Sequence, residues 1–206
     1  RRAFDKTMLD VFEETRGQAH EHVVCYLDLD EFKVVNDTCG HSAGDVLLRQ
    51  IAHLFKEALR ADDHIFRIGG DEFGMVLTNH SIAQAHSVAK RLQSALADFK
   101  FMWHGQGFGV SASIGMVALN AASESVGALL QAADSACYVA KESGRGRIHV
   151  YTKDDAALSQ RFGVMEWVSR IEDALTRDRF VLYAQPIMPL GVDTHSGLHC
   201  ELLLRM

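Results

Sequence analysis

The stretch Arg67-Ile68-Gly69-Gly70-Asp71-Glu72-Phe73 sets two glycines and two acids between apolar runs. Ile65, Phe66 and Ile68 stand before the glycines, and Phe73, Met75, Val76 and Leu77 follow the acids. The flanks therefore predict two strands, and Gly-Gly the tight turn of a β-hairpin. Glycine tolerates positive φ and carries no Cβ, which lets a charged ligand approach the backbone with Asp71 and Glu72 fixed at the rim. Two adjacent acids on a rigid turn suit a metal or phosphate site. They also suit a solvated hairpin tip, and the flanking chain has to decide between the two.

Upstream, Val23-Val24-Cys25-Tyr26-Leu27-Asp28-Leu29-Asp30 is a continuous apolar strand that ends in acids, and the period-two geometry of a strand puts Asp28 and Asp30 on one face. Carboxylates at the carboxyl end of a buried strand are a common ligand position in α/β sheets. Phe4, Met8, Val11 and Phe12 recur at helical spacing, so an amphipathic helix over 1–16 precedes it, opening abruptly at Arg1 as a piece of a longer protein would. Residues 31–37 predict a short helical turn, and His41-Ser42-Ala43-Gly44-Asp45 starts a longer helix with Leu47, Leu48, Ile51 and Phe55 inward. Downstream, Ser81 caps a helix that runs to about Phe99. Strands over 101–103 and 110–119 flank a glycine-rich turn, a helix over 125–143 stops at Gly144, and 148–151 forms a last short strand. A polar, Ala-rich linker follows. Beyond it, 164–175 reads as helical and 180–187 and 198–206 as strands, with too little apolar material for a core of their own.

Composition bounds the function classes. A chain of 206 residues with 48% hydrophobic and 23% charged residues suits one ordinary globular domain plus something smaller. The net charge of −6, with no block of Lys or Arg, argues against a nucleic-acid polymer as partner and leaves room for a small phosphorylated ligand. Cys25, Cys39, Cys137 and Cys200 are scattered and form no C-x-x-C pair, so they are expected as reduced thiols and not as a disulfide frame or zinc site. No apolar run reaches membrane-spanning length and no signal peptide opens the chain. A cytoplasmic location is expected, with no membrane contact from this fragment, although the parent protein could be attached through other regions.

Taken together, Asp28-Leu29-Asp30-Glu31-Phe32-Lys33-Val34-Val35-Asn36-Asp37, Gly40-His41, Gly44-Asp45, Gly69-Gly70-Asp71-Glu72-Phe73 and Lys141-Glu142-Ser143-Gly144-Arg145 resemble the GGDEF family of diguanylate cyclases. Several separated motifs agree in order and spacing. The resemblance implies an α/β (α+β) fold of the palm-like, nucleotidyl-cyclase kind, with a central, mostly antiparallel sheet flanked by helices, over 1–152. It also implies condensation of two GTP molecules, held on two facing subunits, to cyclic di-GMP.

Residue by residue, Asp28, the Leu29 carbonyl, Asp71 and Glu72 match the ligands of Mg²⁺ or Mn²⁺, for which hard oxygen donors are suited. By the same resemblance Asp71 takes the proton from the ribose 3′-hydroxyl, Glu72 supports the metal site, and Lys33 is the transition-state cation at the opening of a helix. Lys141 and Arg145 match the grips on the triphosphate tail; cations near a helix C-terminus are also favoured in any protein. Asn36 and Asp45 match the guanine readers, where a carboxylate accepts from N1–H and N2–H₂ and adenine would leave it unpaired. His41 matches a substrate-side position. Arg60 and Asp63 match the R-x-x-D site at which product inhibits part of the family, and an Arg and Asp at that spacing are also an ordinary surface pair. The chain departs from many relatives at Gly146, where Asn is common, and at Cys137, where Met is common.

A shorter resemblance begins after a linker over 153–165. Leu182-Tyr183-Ala184-Gln185-Pro186-Ile187, with Glu201-Leu202-Leu203 beyond, is similar to the opening strands of an EAL cyclic di-GMP phosphodiesterase domain over 166–206. Glu201 matches that motif's metal-binding Glu, and Leu202 replaces its Ala. Two functions from different classes follow: a working cyclase, or a catalytically silent module that binds GTP or cyclic di-GMP and regulates the neighbouring phosphodiesterase.

Overall fold

A computed structural model describes residues 1–16, 21–152, 171, 173–177, 179–187 and 200–205. The chain divides into two units, Arg1–Asp155 and Ala156–Met206. The expected linker, and the 164–170 part of the expected helix after it, lie outside the described residues.

In the first unit, helix α1 (Arg2–Thr15) leads to strand β1 (His22–Asp30), short helix α2 (Phe32–Cys39) and helix α3 (His41–Ala58). Strands β2 (His64–Arg67) and β3 (Glu72–Leu77), helix α4 (Ile82–Asp98), strands β4 (Lys100–Trp103), β5 (Gln106–Gly109) and β6 (Ser111–Leu119), helix α5 (Val126–Glu142) and strand β7 (Ile148–Val150) complete it. Five strands form one sheet in the order β2-β3-β1-β6-β7, antiparallel except for the β6–β7 pair. The fold class is therefore mixed α/β, a mostly antiparallel sheet flanked by helices.

β1 sits at the centre because both of its faces are apolar. Val23, Cys25, Leu27 and Leu29 meet a core built with Leu47, Leu48, Ile51 and Phe55 of α3 and Val88 and Leu92 of α4. On the opposite face Val24 packs with Phe4 and Met8 of α1 and Leu129 and Ala133 of α5. That second face also carries Asp28 and Asp30, two and three steps beyond Val24 along the same alternation. Two helix starts are fixed by their caps. Ser81 Oγ accepts from Gln84 N while the Gln84 side chain accepts from Ser81 N, closing a capping box, and Ser125 Oγ accepts from Ala128 N.

Four details differ from the sequence reading. Gly69 and Gly70 do not adopt positive φ; that conformation falls, among glycines, to Gly40, Gly105, Gly144 and Gly146. The turn spans residues 68–71, with Ile68 N donating to Glu72 O at 2.9 Å. Gly69 is small for another reason: a Cβ there would stand 2.3 Å from Glu72 Oε2. The glycine-rich turn after β4 is itself strand β5, joined through His104 and Gly105 at φ 46° and 81°, the left-handed pair of a type I′ hairpin. Glu31 is not helical but left-handed at φ 59°, so α2 starts at Phe32 and extends to Cys39. Arg145 lies beyond α5, in a turn whose residues Gly144, Arg145 and Gly146 have φ of 113°, 55° and 56°.

In the second unit, β8 (Val181–Pro186) and β9 (Cys200–Arg205) form an antiparallel pair with Gln185 opposite Glu201. Ile171 and residues 173–176 are helical. Among the described residues no helix is long and apolar enough to cross a membrane.

Candidate active site

The carboxyl end of β1 gathers the acids. Asp28 stands opposite Glu72 of β3 on one side and Ser113 of β6 on the other. The backbone N–H of Leu29 donates to the carbonyl of Asp71 at 3.2 Å, which ties the Gly-Gly-Asp-Glu turn to the strand end. The other side of the turn is braced by Arg67, whose Nε donates to the carbonyls of Gly69 and Gly70 at 3.2 and 3.0 Å. Asp28 and Leu29 are thus brought beside Glu72 and Asp71 by strand register, although 41 residues of chain lie between Leu29 and Asp71.

Lys141, in the last turn of α5, reaches Asp28 Oδ2 at 2.6 Å, so a residue expected to grip phosphate and one expected to hold metal meet in one contact. Burial raises the Asp28 carboxyl above its ordinary value, and the charges of Asp71 and Glu72 add to the rise, while the hydrogen bond and charge of Lys141 oppose it. Burial alone would lower the Lys141 ammonium. Its hydrogen bond and charge pair with Asp28 outweigh that, and it titrates above the usual lysine value. An ion pair ordinarily lowers the acid. Here burial outweighs the ammonium, with the charges of Asp71 and Glu72 adding to it, and the acid rises. Beneath the pair, the Cys137 thiol donates to Ser113 O at 3.2 Å and is pushed up to about 12, by burial first and by the Asp28 charge second. Tyr26 hydrogen-bonds to Glu72, and burial together with that carboxylate holds the phenol well above its ordinary range.

Hard oxygens under mutual repulsion are what a divalent cation relieves, so the donor set fits Mg²⁺ or Mn²⁺. Among the described residues no group of three or more His, Cys, Asp and Glu side chains is placed to hold a metal ion, so Asp28, Asp71 and Glu72 do not by themselves form a three-carboxylate site.

Of the residues expected to read guanine, Asn36 of α2 packs against the start of α3, which carries Asp45. A Cβ on Gly44 would stand 2.0 Å from Asn36 Oδ1 and 2.9 Å from Phe32 Cζ, so the absence of a side chain there seats Asn36 on the first turn of α3, beside Asp45. Asp45, His41 and Lys33 are exposed. Arg60 is exposed too, but Asp63 is 9% exposed, its carboxylate accepting Arg60 N–H at 3.2 Å and lying 3.7 Å from His80 Nδ1. Arg60, Asp63, Lys56, His64 and Phe66 line a cavity of 430 Å³. Glu201 is exposed in the second unit.

Sequence reasoning gave no role to Asp30, which is 9% exposed and the most fully bonded side chain here. Oδ1 accepts from Ser113 Oγ at 2.7 Å; Oδ2 accepts from Ser111 Oγ at 2.6 Å and from Gly146 N at 2.9 Å. Gly115 was also passed over. A Cβ there would stand 2.1 Å from Ala133 O and from Cys137 N, so α5 lies directly on β6. The alternation of β1 puts Asp30 on the same face as Asp28; its partners are too distant in the chain to be foreseen.

Comparison with known proteins agrees with this arrangement. The family model described as "Diguanylate cyclase, GGDEF domain" matches residues 1–147. The chain is 38% identical over 157 residues to the probable diguanylate cyclase DgcE of Escherichia coli, covering 76% of this chain and 14% of that protein. It is 35% identical over 209 residues to the cyclic di-GMP phosphodiesterase PdeB of Shewanella oneidensis, covering all of this chain and 24% of that one. The crystal structure of the GGDEF domain of YfiN, or TpbB, from Pseudomonas aeruginosa superposes with a TM-score of 0.70 at 29% identity, over 75% of this chain and 96% of that one. The chain thus spans a quarter or less of these two curated relatives. Diguanylate cyclases of this kind use divalent metal ions. A strand ending in acids, a glycine turn bonded to it and a family match over 147 residues agree, and the chain belongs to the GGDEF diguanylate cyclase domain family.

Proposed function

We propose that residues 1–152 are a diguanylate cyclase domain that condenses two GTP to cyclic di-GMP and two pyrophosphates, and that 166–206 open an EAL domain. The observation that carries the reading is the meeting of Asp28, Leu29, Asp71 and Lys141 at the end of β1. In each half-reaction a ribose 3′-oxygen bonds to the α-phosphorus of the facing GTP, the bond from that phosphorus to pyrophosphate breaks, and the hydroxyl proton leaves toward Asp71. Asp28, the Leu29 carbonyl, Asp71 and Glu72 would hold Mg²⁺ or Mn²⁺, which supplies charge neutralisation on the triphosphate oxygens. Lys33, Lys141 and Arg145 orient phosphates, while Asn36 and Asp45 select guanine and His41 flanks the substrate. A second GGDEF subunit is required, because each site supplies one nucleotide and the attacks are reciprocal across a two-fold axis. Product bound at the Arg60 and Asp63 cavity would hold subunits apart from that arrangement.

The silent-module reading is favoured by one observation, that the relative matching the whole chain is named a phosphodiesterase. Incubation of the chain and of Asp71→Ala with GTP and Mg²⁺ across protein concentration separates the two. Cyclic di-GMP from the wild type alone, rising faster than first order in protein, supports the cyclase. Binding of GTP or cyclic di-GMP without turnover moves the conclusion to the module, and binding of neither overturns both.

A further inference from the structure

Three consecutive residues in the left-handed region are an unfavourable way to leave a helix, and the middle one, Arg145, carries a Cβ. The turn is held at two points. Gly144 N and Arg145 N both donate back to Lys141 O, at 3.2 and 3.1 Å. Gly146 N donates across the sheet end to Asp30 Oδ2 at 2.9 Å, a side-chain bond that ties the turn to β1. Asp30 is in turn immobilised by Ser111 Oγ and Ser113 Oγ, and with three donors on two oxygens it is oriented by the neighbouring strand. A Cβ on Gly146 would meet only Ser111, at 3.6 Å, so the turn is not set by steric crowding at that residue.

We propose that Asp30 is a positioning residue for substrate: by accepting the Gly146 N–H on its serine-anchored carboxylate it places Arg145 for the triphosphate. The two acids at the end of β1 then divide the work between the two cations. Asp28 pairs with Lys141 directly, and Asp30 sets Arg145 through the backbone. Asn or Gly at 146 would serve equally, since both adopt positive φ and both offer an N–H, which accounts for the departure at that position. The inference rests on the cyclase reading for the role of Arg145, and not for the turn itself.

The test combines Asp30→Asn, Arg145→Ala and the double variant in the 206-residue chain. Asp30→Asn keeps the shape and puts an amide where two serines and a backbone N–H need a charged acceptor. GTP KM is expected to rise about tenfold with kcat within about twofold, as loss of a charged acceptor predicts. In the Arg145→Ala background, which itself raises KM, Asp30→Asn should add nothing. Independently of activity, amide exchange at Gly146 and tryptic cleavage after Arg145 should each quicken about tenfold in Asp30→Asn. Should Asp30→Asn fail to fold by thermal unfolding, Ser111→Ala removes one anchor alone and should shift the same readouts in the same direction by less. Additive KM effects, a fall in kcat at unchanged KM, or Gly146 exchange equal to wild type would overturn the proposal. If wild type neither binds nor turns over GTP, the cyclase reading fails while the exchange and cleavage results still decide whether Asp30 holds the turn.

Discussion

Adding one methyl group at Gly115 should disturb the site from beneath. The Cβ of Gly115→Ala would lie 2.1 Å from Ala133 O, 2.1 Å from Cys137 N and 2.8 Å from Ala136 C. All three are helix backbone and none can rotate away. Ordinary contact begins near 3.4 Å, so α5 has to retreat from β6 by about 1.3 Å, the difference between 3.4 and 2.1. Lys141 lies one turn beyond Cys137, and its 2.6 Å contact with Asp28 would lengthen by a similar amount. Overpacking of this kind costs about 1–3 kcal/mol. A displacement of ~1 Å in a substrate-positioning group costs on the order of 100-fold in rate. Urea unfolding gives the first number and cyclic di-GMP formation the second. Gly127→Ala is the companion: its nearest neighbour would be Ser125 Oγ at 3.9 Å, so in the same helix it should stabilise by about 0.5–1 kcal/mol. If both variants move stability the same way, or Gly115→Ala changes it by less than about 0.5 kcal/mol, the close approach of α5 to β6 is not what fixes Lys141.

Further outcomes follow from other contacts. Gly44→Ala should displace Asn36 Oδ1, 2.0 Å from the new Cβ, and raise GTP KM about tenfold with the fold retained by circular dichroism; an unchanged KM would separate Asn36 from guanine. Ser81→Ala removes one half of the α4 capping box and should cost about 1 kcal/mol in urea unfolding without changing KM. At pH 8 an aromatic disulfide reagent should react with Cys200 and Cys39 and spare Cys25 and Cys137, which are 0% and 2% exposed, with all four reacting after denaturation. Because the folded Cys137 thiol is raised from 9.0 to about 12, its stabilisation is fully present below pH 9. It is lost as pH rises through that window, by up to about 1.4 kcal/mol per unit, which urea midpoints across pH 8 to 11 would follow.

What could be read from the chain alone was whatever is periodic or local. β1 announced itself because both faces are buried and its residues are therefore apolar without interruption until Asp28. α4 did so because Ser81 stands as an N-cap directly before its apolar stripe. β5 did not, since Gln106-Gly107-Phe108-Gly109 has no alternation and its pairing with β4 depends on two left-handed residues before it. The same limit applies in the site. Asp28 and Asp71 lie in motifs that show themselves; the bond from Leu29 to Asp71, the Lys141 contact and the three donors to Asp30 are products of strand register and helix seating. Gly115 and Gly44 look like weak points in a strand and a helix until the neighbouring backbone or Asn36 is in place.

The strand order carries a consequence for synthesis. β1 is flanked by β3 and β6, and its terminal Asp30 finds its two serines 81 and 83 residues further along the chain. A ribosome adding about 5–20 residues per second needs roughly 2–8 s to pass from the end of β3 to the end of β6. Through that interval Val23-Val24-Cys25-Tyr26-Leu27 has one paired edge and one open edge, with no charge and no proline to discourage another chain from adding to it. Yield of the nascent chain is then a contest between its own β6 and its neighbours, decided by translation speed and by crowding on the polysome, before any ligand reaches the site.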